Sequence, residues 1–351
     1  MKIKKSEIRQ KKILKILDNK NLSLHEIIQY FSNENDTISQ ITIIRDLQKL
    51  ITSQYILKTG KAKSAKYKIN LSYSLLETVD IDKYFQNPAN KRNAKKQFNF
   101  TIFSQLESDI FFPEEKELLQ NLHKKFQKKF QKFNSEISKQ KEYERIIIEF
   151  AWKSSYIEGN TYSLLETERL IKEHKTTDGK TAEEAKMILN HKEVFDFVLN
   201  NKQYFTTISR IKIEEIHKIL TKEIGITANI RKTPVGITGS DYKPLDNQFQ
   251  IEEALEQMII LINVKNNFFE KSFLLLLLIS YIQAFEDGNK RTARMTANSV
   301  LIANNSCPLS YKTIEEIDYK KATLLFYEQN NLSEMKKIFI NQYSEAVHDY
   351  F

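Results

Sequence analysis

One cysteine (Cys307), one tryptophan, seven glycines and five prolines in 351 residues set the first limits on this chain. A lone cysteine excludes an intramolecular disulfide and fits a reducing compartment. So few glycines and prolines disfavour an all-β chain, whose many turns require them, and favour helices. No apolar run approaches the roughly 20 residues of a membrane span. The longest, SFLLLLLISYI at 272–282, has about half that length. The Lys-rich N-terminus carries no apolar stretch of signal-peptide size. The expectation is a cytoplasmic protein without a membrane partner. An apolar content of 41% and a charged content of 28% are those of a globular protein long enough for two or three domains.

Charge is unevenly spread. Residues 1–70 hold 15 Lys/Arg against 6 Asp/Glu, an excess equal to the net charge of +9 of the whole chain. A basic module on a neutral body points to a polyanion for that module alone, with a solvated lysine face as the plainer reading. Ile13, Leu14, Ile16 and Leu17 form a helical stripe among lysines. Ser23 with Glu26 reads as a capping box for a second helix. Ser39 caps a third, in which Ile41, Ile44, Leu47, Leu50 and Ile51 are expected inside and Gln40, Thr42, Arg45 and Lys49 outside. Residues 55–58 and 66–69 alternate as strands do, around the basic join TGKAKSA. This order resembles the winged helix-turn-helix domains of bacterial regulators. The resemblance implies DNA binding by a domain over 1–72, with Gln40, Thr42 and Arg45 toward bases and Lys58, Lys61, Lys63 and Lys66 toward phosphates. Winged helices also dock proteins, a use that tends to come without a basic wing.

The middle of the chain is plainer. Residues 73–97 read as a connector, and EEKELLQNLHKKFQKKFQKF as a packed surface helix. Residues 143–157 are helical, and Gly159 can end that helix in the left-handed conformation. Ser163 with Glu166 then caps the next one. A glutamate at the end of a helix, as Glu158 is, gains nothing from the helix dipole. In ANIRKTPVGITGSDYKP at 228–244, Val235 and Ile237 alternate before Gly239, Ser240 and Asp241, which signals a β-hairpin.

The richest segment is QAFEDGNKRTAR at 283–294, directly after the apolar run. Gly288 lets the backbone turn its N–H groups toward an anion, and a helix starting near Lys290 aims its dipole at the same place. Asn289 can brace the turn, and Phe285 ties it to the core. Arg291 and Arg294 share a helix face and form a phosphate clamp. Asp287 is placed to hold Mg²⁺ that bridges phosphates.

The segment resembles the Fic family signature HPFxDGNGRxxR, with Gln283 for His, Ala284 for Pro and Lys290 for Gly. Residues 154–163, SSYIEGNTYS, resemble the inhibitory S/T-xxx-E-G/N motif of that family, and 228–244 its flap. The resemblance implies a mainly α, Fic-fold helical region over 98–351 with a β-hairpin flap, beside the small α+β N-terminal domain. It implies ATP and Mg²⁺ as cofactors and AMP transfer to a hydroxyl of a protein substrate held at the flap by strand addition. A homodimer is compatible with it. The catalytic positions carried over are Gln283, Asp287, Asn289 and Arg291, with Asp287 as metal ligand. The nucleotide-binding ones are Gly288, Asn289, Lys290, Arg291 and Arg294. Ser154, Glu158, Gly159 and Asn160 form the inhibitory motif, on a helix over about 137–159, whose Glu competes with the γ-phosphate for Arg294. Gln283 has no titratable site, so a weak or altered transferase and an inactive nucleotide-sensing regulator both follow. His191 and His217 lie on core helices and read as structural, not as a relocated base. Lys290 matches the Doc branch, a phosphorylating toxin with NKR where the adenylylating branch has NGR, whereas Arg294 follows the adenylylating pattern.

Overall fold

The computed structural model describes residues 5–351 apart from 19, 34–37, 54, 71–72 and 134, and leaves out the side chains of Lys5, Glu7 and Lys63. Residue contacts divide it into two compact units, one of residues up to 78 with 108–114, the other of 79–107 with 115–351.

The first unit runs α1 (Lys5–Leu17), β1 (Leu22–Ser23), α2 (Leu24–Asn33), α3 (Gln40–Thr52), β2 (Ile56–Thr59), β3 (Lys66–Ile69) and α4 (Tyr73–Leu76). The strands form an antiparallel sheet in the order β1-β3-β2, with Leu22 opposite Tyr67 and Ile56 opposite Ile69. Gly60 begins the turn between β2 and β3 at φ +78°, where an added Cβ would sit 2.6 Å from the Ser64 carbonyl oxygen. Only glycine fits there. Ile13, Leu17, Ile27, Phe31, Ile43, Leu47 and Leu50 fill the core, each burial stabilising by about 1.5–3 kcal/mol.

Two caps form as expected: Glu26 accepts from the N–H of Ser23, and Ser39 accepts from the N–H of Thr42. The inner face of α3 differs. Its buried residues are Ile43, Asp46, Leu47 and Leu50, while Ile41 and Ile44 are exposed at 63% and 44%. Positions 43, 46, 47 and 50 make one helical stripe, and Asp46 belongs to it because Arg9 Nε bonds its carboxylate at 2.7 Å. That partner lies 37 residues away. Thr42 is half-buried and its hydroxyl bonds Ser39 Oγ at 2.9 Å.

The chain continues through α5 (Ile81–Phe85), α6 (Ile102–Gln105), α7 (Pro113–Gln131), α8 (Glu136–Ile157), α9 (Leu164–Glu173), α10 (Ala182–Asn200), α11 (Arg210–Leu220) and α12 (Gln248–Val264). It ends in α13 (Phe268–Ile282), α14 (Asn289–Ala303), α15 (Glu316–Gln329) and α16 (Ser333–Asp349). Helix α13 is apolar on every side and therefore sits at the centre of its unit, buried from Ser272 to Ile282. Helix α14 packs along it, with α8, α10 and α11 against α14 and α12 and α15 against α13. Among the described residues no helix is long and apolar enough to cross a membrane.

Residues 79–97 pack with this second unit: the Lys95 N–H donates to the Glu328 carbonyl, and the Lys96 carbonyl accepts from the N–H of Lys243. The hairpin expected at 228–244 is absent. These residues contain no strand, and their one ladder contact is an isolated parallel bridge between Lys243 and Gln97. Side chains rather than a second strand hold the segment, as described next.

Candidate functional site

The loop between α13 and α14 is built by its two ends. Helix α13 stops at Gln283, which takes the left-handed conformation at φ 52°, and α14 starts from Gly288 at φ +76°. A Cβ at Gly288 would lie 3.3 Å from both His217 Cε1 and Thr221 Cγ2, so this turn needs glycine for space as well as for φ. Asn289 braces the loop as expected. Its Oδ1 accepts from the Phe285 N–H at 2.9 Å, and its Nδ2 donates to the Phe285 carbonyl at 2.8 Å and to Gln283 Oε1 at 3.1 Å. Phe285 stacks flat on His217, with ring centroids 3.6 Å apart.

Gln283 is turned inward. Its Nε2 donates to the Ser280 carbonyl and to the Tyr327 hydroxyl, the latter at 3.2 Å. With Oε1 accepting from Asn289, both ends of the amide are engaged and the side chain is buried. Gln283 is part of the frame of the loop.

The arginines divide the work. Arg294 is fully buried: Nε donates to Ser154 Oγ at 2.9 Å, Nη2 to the Ser154 carbonyl at 2.8 Å, and Nη1 to Glu158 Oε1 at 2.9 Å. Its guanidinium lies over the Tyr319 ring, 5.4 Å from the centroid. Glu158 caps the C-terminus of α8, and its second oxygen meets Lys290 Nζ at 3.2 Å. Burial alone would raise the Glu158 pKa, but Arg294 and Lys290 outweigh it and bring it down to about 2. Arg291 donates Nη2 to Asp287 at 2.9 Å, while its Nη1 is buried with no partner among the described residues. Asp287 itself is 71% exposed, and no cluster of three His, Cys, Asp or Glu gathers among the described residues to hold a metal.

Ser154 and Glu158 therefore do meet Arg294, whereas the rest of the motif serves the backbone. Gly159 takes φ +99°, and Asn160 reaches away, its Nδ2 bonding the Glu184 carbonyl at 2.9 Å.

Two histidines read as structural have specific partners. His191 Nδ1 donates to the Met187 carbonyl at 2.8 Å, which leaves Nε2 to accept from the Ser154 hydroxyl at 3.0 Å. A relay thus runs from Arg294 through Ser154 to His191. Burial pushes the His191 pKa down to about 3, so the ring is neutral and remains an acceptor. His217 holds Thr292 at 3.0 Å in the same manner, with burial pushing its pKa down to about 4.

Arg231 escaped the reading of the sequence. It is 1% exposed and among the described residues its guanidinium donates only to carbonyls: those of Gln283 at 2.6 Å, Thr233 at 2.7 Å and Leu245. Its own N–H donates to the Ala284 carbonyl at 3.0 Å. The 231–245 segment is thereby fastened to the loop at Arg231 and closed on Arg231 at Leu245. Between Lys232 and Gly239 no backbone N–H is bonded within the described residues. No local pattern around IRKTPV marks such a residue, since two of its three carbonyl partners, Gln283 and Leu245, lie far along the chain.

In the first unit, Gln40 and Arg45 lie exposed on α3, and Lys58, Lys61 and Lys66 on the β2–β3 hairpin, while the Lys63 side chain lies outside the described residues.

Among solved structures the fold is similar to Fic-1 from C. elegans, at 17% identity over 67% of this chain and 71% of that one, with a TM-score of 0.58. A Fic domain-containing signalling protein from Bacteroides thetaiotaomicron matches at 19% over 66% and 92%, TM-score 0.52. A Fic family protein from Desulfovibrio desulfuricans matches at 15% over 66% and 73%, TM-score 0.53. At such identities the likeness is one of fold. No curated protein matches the chain in sequence. Residues 207–301, which run from just before α11 into α14 and include the loop, match the Fic/DOC family model, so the chain carries a Fic/DOC domain in a Fic fold.

Proposed function

We propose that the α13–α14 loop binds ATP, that Glu158 gates it, and that transfer of AMP to a protein hydroxyl is weak because Gln283 offers no base. The observation that carries the reading is Arg291 Nη1, a charged donor buried without a partner. An unpaired buried donor costs stability unless a ligand satisfies it, and a phosphate fits. The free N–H groups at the start of α14 and the close-packed glycine at 288 suit the same anion. Mg²⁺ held with phosphates needs few protein carboxylates, so Asp287 suffices as its ligand; the ion would neutralise phosphate charge. Glu158 occupies the Nη1 of Arg294 and must leave before a phosphate takes it.

The measurement is ATP·Mg²⁺ affinity, by calorimetry and thermal shift, for the wild type and Glu158→Gly. Removing the competing carboxylate should tighten binding about tenfold or more, the scale of one charged hydrogen bond. Absence of binding in both proteins would defeat the reading.

The Gln283 amide, committed within the loop, favours a nucleotide-sensing role over an efficient transferase. The unbonded N–H groups of 232–239, with Val235 and Ile237 half-buried in alternation and the carbonyls of Pro234, Val235 and Gly236 left over, suit a target segment added as a strand.

We infer a second output, DNA binding, from the first unit. Three helices and a basic hairpin support its reading as a winged helix, with exposed Gln40 and Arg45 toward bases and Lys58, Lys61 and Lys66 toward phosphates. Exposed Ile41 and Ile44 lie on the same face and suit thymine methyl groups. In duplexes selected from a randomised pool, Arg45→Ala should cost about 1–3 kcal/mol and relax sequence preference. Binding that ignores salt, or no binding, sinks this part.

A further inference from the structure

We propose that Lys290 is a specificity-determining residue with two alternating partners: it holds Glu158 in the arrangement seen here, and binds the phosphates of a nucleotide that displaces Glu158. The inference rests on the ATP-binding reading above.

Each oxygen of Glu158 has its own cation, Oε1 with Arg294 Nη1 at 2.9 Å and Oε2 with Lys290 Nζ at 3.2 Å. The two cations are held very differently. Arg294 is 0% exposed and keeps Ser154 Oγ, the Ser154 carbonyl and the Tyr319 face whether or not Glu158 stays. It cannot follow a ligand. The Lys290 side chain is 31% exposed, and Glu158 is its one partner among the described residues. When Glu158 leaves, Lys290 becomes an ammonium on a flexible stem with nothing to bind, in the first turn of the helix whose N-terminus faces the anion. A phosphate oxygen is the partner that replaces the carboxylate.

Charge sets what such a ligand must be. Lys290, Arg291 and Arg294 stand around the loop against Glu158 and the largely exposed Asp287. A ligand with a single negative charge only repeats what Glu158 already supplies. A polyphosphate brings more than Glu158 takes away, and Lys290 is where the surplus is used.

The test is calorimetric titration of ATP·Mg²⁺ into four full-length proteins: wild type, K290M, E158G and the double variant. Melting temperatures confirm that each is folded, which substitution of a partly exposed lysine permits. With Glu158 present, K290M loses one contact before binding and one after, so affinity should change by less than about twofold. In the E158G background only the second loss remains, and affinity should fall about tenfold. K290R should restore most of it. Equal losses in both backgrounds would mean that Lys290 does not contribute to holding Glu158. Tightening in the wild type with no change in E158G would make Lys290 a lock alone. Either result overturns the exchange of partners. An E158G protein that binds no ATP defeats the ATP reading and the inference together, whereas one that binds ATP but ignores Lys290 defeats the inference only.

Discussion

Placing histidine at position 283 in a Glu158→Gly protein should raise transfer of label from α-labelled ATP to protein hydroxyls by about two to four orders of magnitude over Glu158→Gly alone. The chemistry asks for one proton acceptor. The hydroxyl oxygen forms a bond to the α-phosphorus, the bond to pyrophosphate breaks, and the hydroxyl proton must go somewhere as it does so. An amide has no site for it near neutral pH, while an imidazole does. Gln283 is also unable to turn toward a substrate without giving up its bonds to Ser280, Tyr327 and Asn289. The Gln283 carbonyl, held by Arg231, fixes the backbone from which the new ring would project. Gel autoradiography of the variant with its own chain as acceptor is the simplest assay. Unchanged transfer in a variant that still binds ATP would show that the loop has lost more than its base. Transfer at full rate in the Glu158→Gly protein with Gln283 intact would overturn the assignment of Gln283 as the deficiency.

Arg294→Ala should destabilise the protein by about 3–5 kcal/mol and abolish its stabilisation by ATP. The side chain is wholly buried and satisfies Ser154 at two atoms as well as Glu158. Deleting it leaves the Ser154 carbonyl without that donor and Glu158 with Lys290 alone. It also ends the reason for the relay to His191, because the Ser154 hydroxyl no longer bridges two partners. Urea denaturation reads the first effect and thermal shift with ATP the second. A loss below about 1 kcal/mol would mean that the network contributes little beyond a surface ion pair.

The geometry of the loop and of the Ser154–Glu158 pair at Arg294 was legible because its signals are local. QAFEDGNKRTAR contains its own turn glycine and its brace, and Glu158 follows Ser154 by four residues, one helical turn. What was not legible depended on distant partners. The inward stripe of α3 runs through Ile43 and Asp46 and not Ile41 and Ile44, and nothing local signals a buried aspartate whose partners, Arg9 and Gln10, lie 37 and 36 residues away. Burial does alternate at Val235 and Ile237, but no strand forms there, and Arg231 and Arg92 take the carbonyls of Thr233 and Gly239 instead. His191 was read as structural, and its role as the acceptor behind Ser154 could not be read from a residue 37 positions away.

Arg231 has a bearing on how this protein can change over generations. Among the described residues its guanidinium recognises only main-chain oxygens, at positions 233, 245 and 283. Side chains at these positions are therefore not specified by the grip, and neither are those of the span it closes off. The exposed residues of 232–239 can therefore change by substitution while the attachment to the α13–α14 loop is inherited intact, with one arginine as the fixed point.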